Sequence, residues 1–257
     1  TFEGGGAWGL CKKFKKINVG DKLRLGDGTR IEVIGKNDES GLLLKFEEEV
    51  FETLERVGKM PLPPYVKRPA DDGDAARYQT VYAAAPGSMA APTAGLHFTQ
   101  ELLDEIERRA KIVRITLHVG AGTWMPVKSE DTDRHKMHAE RGVITLEQAA
   151  AINGATRVVA VGTTSLRLLE SAAAVAPDGR RVAPFDGSTD IFITPGHEFR
   201  TTDALLTNFH LPKSTLFMLA SAFAGMDEIR AAYAHAIREK YRFFSYGDCC
   251  LLFKKED

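Results

Sequence analysis

Arg157-Val158-Val159-Ala160-Val161-Gly162-Thr163-Thr164-Ser165-Leu166 is the stretch on which the fold turns. A short β-favouring run ends at a glycine, three hydroxyl-bearing residues follow, and an apolar-periodic run continues to Val175. The pattern predicts a buried strand over 157–161, a turn whose side chains suit an N-cap, and a helix over 166–175. The same texture recurs downstream. Strands are predicted over 190–194, 204–207 and 249–253. Ser214 or Thr215 suits the cap of a helix running to Ala224, and Asp227 that of another running to Lys240. Short apolar strands alternating with helices specify an α/β layered domain.

Working upstream, the texture changes at Met60-Pro61-Leu62-Pro63-Pro64-Tyr65, too rich in proline for a helix or a central strand. A boundary falls there. Residues 61–257 form the larger α/β domain, and residues 1–60 a smaller β-rich one. In the smaller part, turn signals at Val19-Gly20-Asp21 and Gly26-Asp27-Gly28 flank strand-like Thr29–Ile34 and Leu42–Phe46. Glu47–Val57 places Val50, Phe51, Leu54 and Val57 at helical spacing. No internal repeat or low-complexity tract stands out.

Composition bounds the function. The 257 residues suffice for one large domain or two smaller ones with ample core. With 34 basic and 35 acidic residues the formal net charge is −1, so bulk charge does not argue for nucleic acid. The three cysteines, Cys11 and the adjacent Cys249-Cys250, make neither a disulfide framework nor a metal-spaced set, which fits a reducing compartment. No apolar run approaches the roughly 20 residues of a membrane helix. A cytoplasmic protein is expected. The chain opens at Thr1 amid Gly4-Gly5-Gly6 and is expected to be a piece of a longer protein.

Several small-residue corners carry candidate chemistry. Ala90-Ala91-Pro92-Thr93-Ala94-Gly95-Leu96-His97-Phe98 and Thr116-Leu117-His118-Val119-Gly120-Ala121-Gly122-Thr123 flank an amphipathic stretch, Gln100–Arg109, and a β-rich run, Lys111–Val119. Glycine there permits positive φ or close approach to the backbone. Gly120-Ala121-Gly122 lacks the third glycine and the following helix of a dinucleotide fingerprint, leaving a ligand loop or a plain bulge. Gly162–Ser165 opens a helix, so its N–H groups suit a carboxylate or phosphate; a simple N-cap fits equally well. His135 and His138 sit at i and i+3, but Arg134 and Lys136 beside them repel a cation, so proton transfer or substrate binding is favoured over metal. His210, within Asn208-Phe209-His210-Leu211-Pro212, follows a strand at the end where open α/β sheets bind ligands. Tyr241–Asp248 interleaves aromatics with one arginine, an arrangement for a nucleoside base or for closing a core. Lys12, Lys13, Lys15, Lys16, Lys22 and Arg24 form a basic cluster of the kind that faces solvent or RNA phosphates.

Taken together, these strings, with Arg77-Tyr78-Gln79-Thr80-Val81-Tyr82, resemble the S-adenosylmethionine:tRNA ribosyltransferase-isomerase family of the queuosine pathway. The likeness runs in order from about Lys59 to the C-terminus. It implies transfer and isomerisation of the ribosyl moiety of S-adenosylmethionine onto 7-aminomethyl-7-deazaguanine in tRNA, giving epoxyqueuosine-tRNA, adenine and methionine. It implies S-adenosylmethionine as co-substrate, tRNA as partner, no metal, no membrane and a monomer. The implied fold is a larger α/β domain with a smaller β-barrel inserted, here partly present because the N-terminal segment is missing; Ala149–Ala155 also reads as shorter than in the family. Such chemistry requires an acid/base pair, expected among His97, His118, His135, His138 and His210. Thr93, Gly95, Gly120, Gly122, Thr123, Thr163, Thr164, Ser165, Asn208 and Tyr246 are the expected substrate-binding residues.

Overall fold

The structure is a computed structural model, and it describes residues 2–3, 6–11, 13–37, 41–63, 65–84, 88, 90–119, 137, 139–177 and 179–255. The chain divides into two compact units, Thr1–Met60 and Pro61–Asp257.

The first unit is a five-stranded antiparallel sheet. Its strands are β1 (Phe2–Glu3), β2 (Gly6–Leu10), β3 (Lys22–Arg24), β4 (Arg30–Lys36) and β5 (Gly41–Phe46), in the order β1-β2-β5-β4-β3. Along β4, Ile31 and Val33 are buried while Arg30 and Glu32 are exposed, the period of two that a half-buried strand requires. The β3–β4 turn holds Gly28 at φ 93°, and Asp27 accepts from the backbone N–H and the hydroxyl of Thr29. Helix α1 (Val50–Val57) closes back on that turn, where Arg56 Nε donates to Asp27 at 2.9 Å. A barrel was expected here. Among the described residues the outer strands β1 and β3 are not paired with each other, and no sheet closes. Strands of two and three residues provide too little ladder for the tilt and stagger that closure demands.

The second unit contains α2 (Asp72–Arg77), a 3-10 helix (Thr93–His97), α3 (Gln100–Glu107), β6 (Thr116–His118), β7 (Glu140–Ile144), α4 (Leu146–Asn153), β8 (Val159–Val161), α5 (Thr163–Ala174), β9 (Phe185–Thr189), β10 (Ala204–Asn208), α6 (Thr215–Ala224), α7 (Met226–Arg238) and β11 (Cys249–Phe253). One sheet has the order β11-β10-β8, with β10 parallel to β8 and antiparallel to β11. The other, β6-β7-β9, is antiparallel throughout. The layers are therefore mixed helix and sheet. Leu166, Leu168, Leu205, Leu219, Phe223 and Ile229 pack the core between them, each at most 2% exposed. Gly142 on β7 is part of that packing: a Cβ there would lie 2.5 Å from Leu168 Cδ1, so any larger residue forces the Leu168 side chain to shift where α5 seats on the sheet.

Several elements differ from expectation, α7 among them: Gly225, at φ 98°, takes its cap position, and Asp227 lies inside the first turn. The run 190–194 is not a strand although Ile193 is buried, because its main chain bonds side chains instead of a ladder. Ile191 N–H donates to Thr189 Oγ1, and Ile191 carbonyl accepts from Arg167 Nε. The strand lies just before it, at Phe185–Thr189, concealed by Asp186-Gly187-Ser188. Over 111–119 only Thr116–His118 is a strand. Helix α5 begins at Thr163, not Leu166, and no side chain caps it; Gly162 takes the cap position at φ 88°, a left-handed conformation that turns β8 sharply into the helix.

Candidate active site

The parallel pairing of β8 and β10 aligns their carboxyl ends: Leu206 sits opposite Val161, and Gly162 N–H donates to Leu206 carbonyl at 2.8 Å. Beyond those ends lie the Gly162 turn and Asn208-Phe209-His210. The 3-10 helix Thr93–His97 lies against both. A Cβ on Gly162 would stand 3.6 Å from Ala94 Cβ, and Asn208 Nδ2 lies 3.2 Å from His97 Nε2. This helix needs Gly95 for space. A Cβ there would overlap the Tyr82 hydroxyl and approach Tyr82 Cζ and Thr80 Cγ2 at 2.8 Å.

The loop 242–248 forms the next wall. Arg242 backbone N–H and Nη2 both donate to the Asp248 carboxylate, at 2.7 and 2.9 Å, closing the loop on itself. The same pairing holds the Asp248 carboxyl below the usual carboxylate range. Gly247 permits the turn, since a Cβ would lie 2.5 Å from the Arg242 carbonyl oxygen. Phe244 N–H donates to Phe209 carbonyl at 3.0 Å, fastening the loop to the end of β10.

The segment after the proline-rich stretch holds this loop from its other side. Asp74 completes a capping box at the start of α2 and accepts Arg68 in a fork, at 2.6 and 2.7 Å. The Tyr246 hydroxyl donates to the same carboxylate at 2.7 Å. Burial first, and then the neighbouring carboxylate, push the Tyr246 phenol up to about 12. Ser245 hydroxyl bonds the hydroxyls of both Tyr65 and Tyr78.

These elements enclose an open cavity of about 340 Å³, lined among others by Arg77, Gln79, His97, Arg242 and Tyr246. That volume lies within the range of about 300–1,000 Å³ typical of small-molecule sites. His97 has its pKa lowered, first by burial and secondarily by Arg242, against the opposing effect of Asp248, so the imidazole facing the cavity is neutral near pH 7.

The expected site residues do not all meet there. His97 and Tyr246 line the cavity; Asn208 is buried behind His97. Gly95 supports the 3-10 helix from within, and Thr93 lies at its start. Thr163, Thr164 and Ser165 form the uncapped first turn of α5. His210 follows Asn208 but is absent from the cavity lining; its Nε2 is 2.8 Å from Thr207 Oγ1, its N–H donates to the Tyr233 hydroxyl, and burial pushes its pKa down to about 4. His118 is on β6, opposite Arg141, in the other sheet. Gly120, Gly122, Thr123, His135 and His138 lie outside the described residues. Among the described residues no group of three His, Cys, Asp or Glu side chains is placed to hold a metal ion.

A family model described as "Queuosine biosynthesis protein" matches residues 5–252. The chain belongs to this family. It is similar to proteins named S-adenosylmethionine:tRNA ribosyltransferase-isomerase: 52% identical to one from a Bradyrhizobium species over 98% of this chain and 74% of that protein. It is 55% identical to another from Parvibaculum lavamentivorans over 93% of this chain and 70% of that protein. A crystal structure of S-adenosylmethionine tRNA ribosyltransferase from Thermotoga maritima superposes with a TM-score of 0.51 at 29% identity, covering 98% of this chain and 71% of that one. Within this member of the queuosine biosynthesis family, sequence reasoning missed Arg242 and Asp248 as a pair, and Arg77 and Gln79 as cavity residues. The six-residue spacing of the first pair and the Asp71-x-x-Asp74 capping box were the available signals.

Proposed function

We propose that this chain transfers and isomerises the ribosyl moiety of S-adenosylmethionine onto the 7-aminomethyl-7-deazaguanine base of tRNA, yielding epoxyqueuosine-tRNA, adenine and methionine. The observation that carries this reading is the 52–55% identity, over nearly the whole chain, to proteins bearing the ribosyltransferase-isomerase name. The cavity beside His97 takes the sulfonium nucleoside. The sulfonium acidifies the ribose C5′ protons, a base removes one, and adenine departs with a proton donor's help. The tRNA amine then attacks the opened fragment, and methionine leaves as the epoxide closes. His97, His118, His135, His138 and His210 are the set from which acid and base are drawn. In the Gly162–Ser165 loop, the N–H groups of Thr163–Ser165, which no side chain caps, suit the methionine carboxylate. Residues 61–257 are the catalytic domain, and residues 1–60 a smaller β-rich domain. Its basic residues Lys13, Lys15, Lys16, Lys22 and Arg24 meet tRNA phosphates, which makes tRNA binding weaken with salt.

Incubation with S-adenosylmethionine and precursor tRNA tests the function. Free adenine and methionine in step with modified tRNA are expected. S-adenosylhomocysteine in place of adenine makes the protein a methyltransferase and overturns the proposal, as does tRNA binding with no nucleoside product.

A further inference from the structure

His97 reaches the cavity on one side and touches Asn208 on the other, and the second contact decides which ring nitrogen carries its proton. Asn208 is 2% exposed, and its amide nitrogen has two neighbours: the Phe244 carbonyl oxygen at 3.1 Å and His97 Nε2 at 3.2 Å. Its amide oxygen is buried without a partner. The identity of nitrogen and oxygen in such an amide follows from its surroundings. Here a carbonyl settles it, because a carbonyl only accepts, so the atom facing Phe244 is the NH₂. Exchanging the two would set oxygen against oxygen at 3.1 Å. The Phe244 carbonyl is itself fixed, with φ 72° at that residue, Phe244 N–H bonded to Phe209 and Gly247 N–H donating back to Phe244. The group facing His97 is therefore a donor with no capacity to accept.

We infer that Asn208 is a positioning residue that holds His97 as the tautomer protonated on Nδ1, so that His97 serves the nucleoside as a neutral hydrogen-bond donor and not as the general base. Nε2 spends its lone pair on Asn208. Among the described residues Nδ1 has no bonding partner, and it is not among the buried unpaired atoms, so its N–H is available to an acceptor atom of the ligand. Protonating Nε2 would bring two donors together, which opposes formation of imidazolium. The charged and titratable groups around His97 are Asp248, which favours the cation, and Arg242, which disfavours it, with Arg77 and Tyr246 lining the same cavity. The base that removes the ribose proton then belongs to another residue. This inference rests on the cavity taking S-adenosylmethionine; the tautomer itself does not.

The ¹⁵N resonances of the histidine rings in the full-length, ligand-free protein at neutral pH test it directly, with His97 assigned by its loss in His97→Gln. A protonated, pyrrole-type signal at Nδ1 and a pyridine-type signal at Nε2 are expected. The reverse assignment, or an averaged pair, overturns the inference. Asn208→Asp replaces the donor by an acceptor and is expected to move the proton to Nε2, to raise the His97 pKa and to lower kcat on the order of 10²–10⁴-fold with KM less affected. An Asn208→Asp protein with unchanged tautomer, or with unchanged kcat, also overturns it. Should that variant fail to fold, the wild-type spectrum decides alone. Absence of adenine release from the wild-type protein would sink the proposed function and leave the tautomer standing.

Discussion

Gly95→Ala is the sharpest probe of how the cavity is built. Gly95 does not have positive φ, so an alanine there meets no backbone penalty, and any effect is one of space. The added methyl would overlap the Tyr82 hydroxyl and sit 2.8 Å from both Tyr82 Cζ and Thr80 Cγ2, well inside van der Waals contact. Overpacking of this kind costs about 1–3 kcal/mol. At roughly 2–4 °C per kcal/mol for a domain near this size, the Tm should fall by roughly 2–12 °C. The functional loss should be larger than the stability loss, because His97 lies two residues along the same 3-10 helix, and a shift of about 1 Å in a reacting group costs on the order of 10²-fold in rate. The reasoning is checked by a double-mutant cycle with Tyr82→Ala, following thermal unfolding and adenine release. Truncating Tyr82 removes most of the obstruction, so the double variant should be more stable than the sum of the singles by about 1 kcal/mol or more. Strict additivity would show that the methyl meets no resistance from Tyr82, and the steric account of Gly95 would fall.

Two further outcomes are expected. The His210 pKa is pushed down from 6.5 to about 4 by burial, so the unfolded chain binds more protons between those values; stability is full above about pH 6.5 and declines as the pH falls towards 4, and His210→Asn should flatten that decline in urea midpoints measured at several pH values. Glu140→Ala leaves the Arg167 guanidinium, paired at 2.6 Å and with a side chain only 8% exposed, without its carboxylate, and should destabilise by about 3–5 kcal/mol in urea titration. Glu140→Leu combined with Arg167→Met should recover most of that loss, and a double variant as weak as the single would refute the explanation.

The larger elements were legible because period and propensity agree with burial along them. Strand β8, helix α6 with its Ser214 cap and strand β11 fall where apolar runs and capping residues place them. Strand β9 was not legible: Asp186, Gly187 and Ser188 carry no strand propensity, and the segment is extended because it pairs with β7 along all five of its residues. Ile191 and Ile193 suggested a strand for the opposite reason, being placed for the core while their backbone bonds go to side chains. In the site, the strings around His97, Asn208 and Tyr246 were identifiable one by one. Their meeting was not, since a bond such as Tyr246 to Asp74 joins residues 172 positions apart and leaves no periodic trace. The unpartnered first turn of α5 shows the same limit: Thr163, Thr164 and Ser165 have the right chemistry for a cap, and the positive φ of Gly162 takes that position from them.

The fastening of Ser245 and Tyr246 to Tyr65, Tyr78 and Asp74 also has a consequence during synthesis. A ribosome that has released everything through α7 has produced His97 and Asn208 but not the strip that roofs them. Nascent chains at that stage lack the wall that Arg242, Ser245 and Tyr246 give the cavity, so the cavity beside His97 is complete only once that loop has emerged.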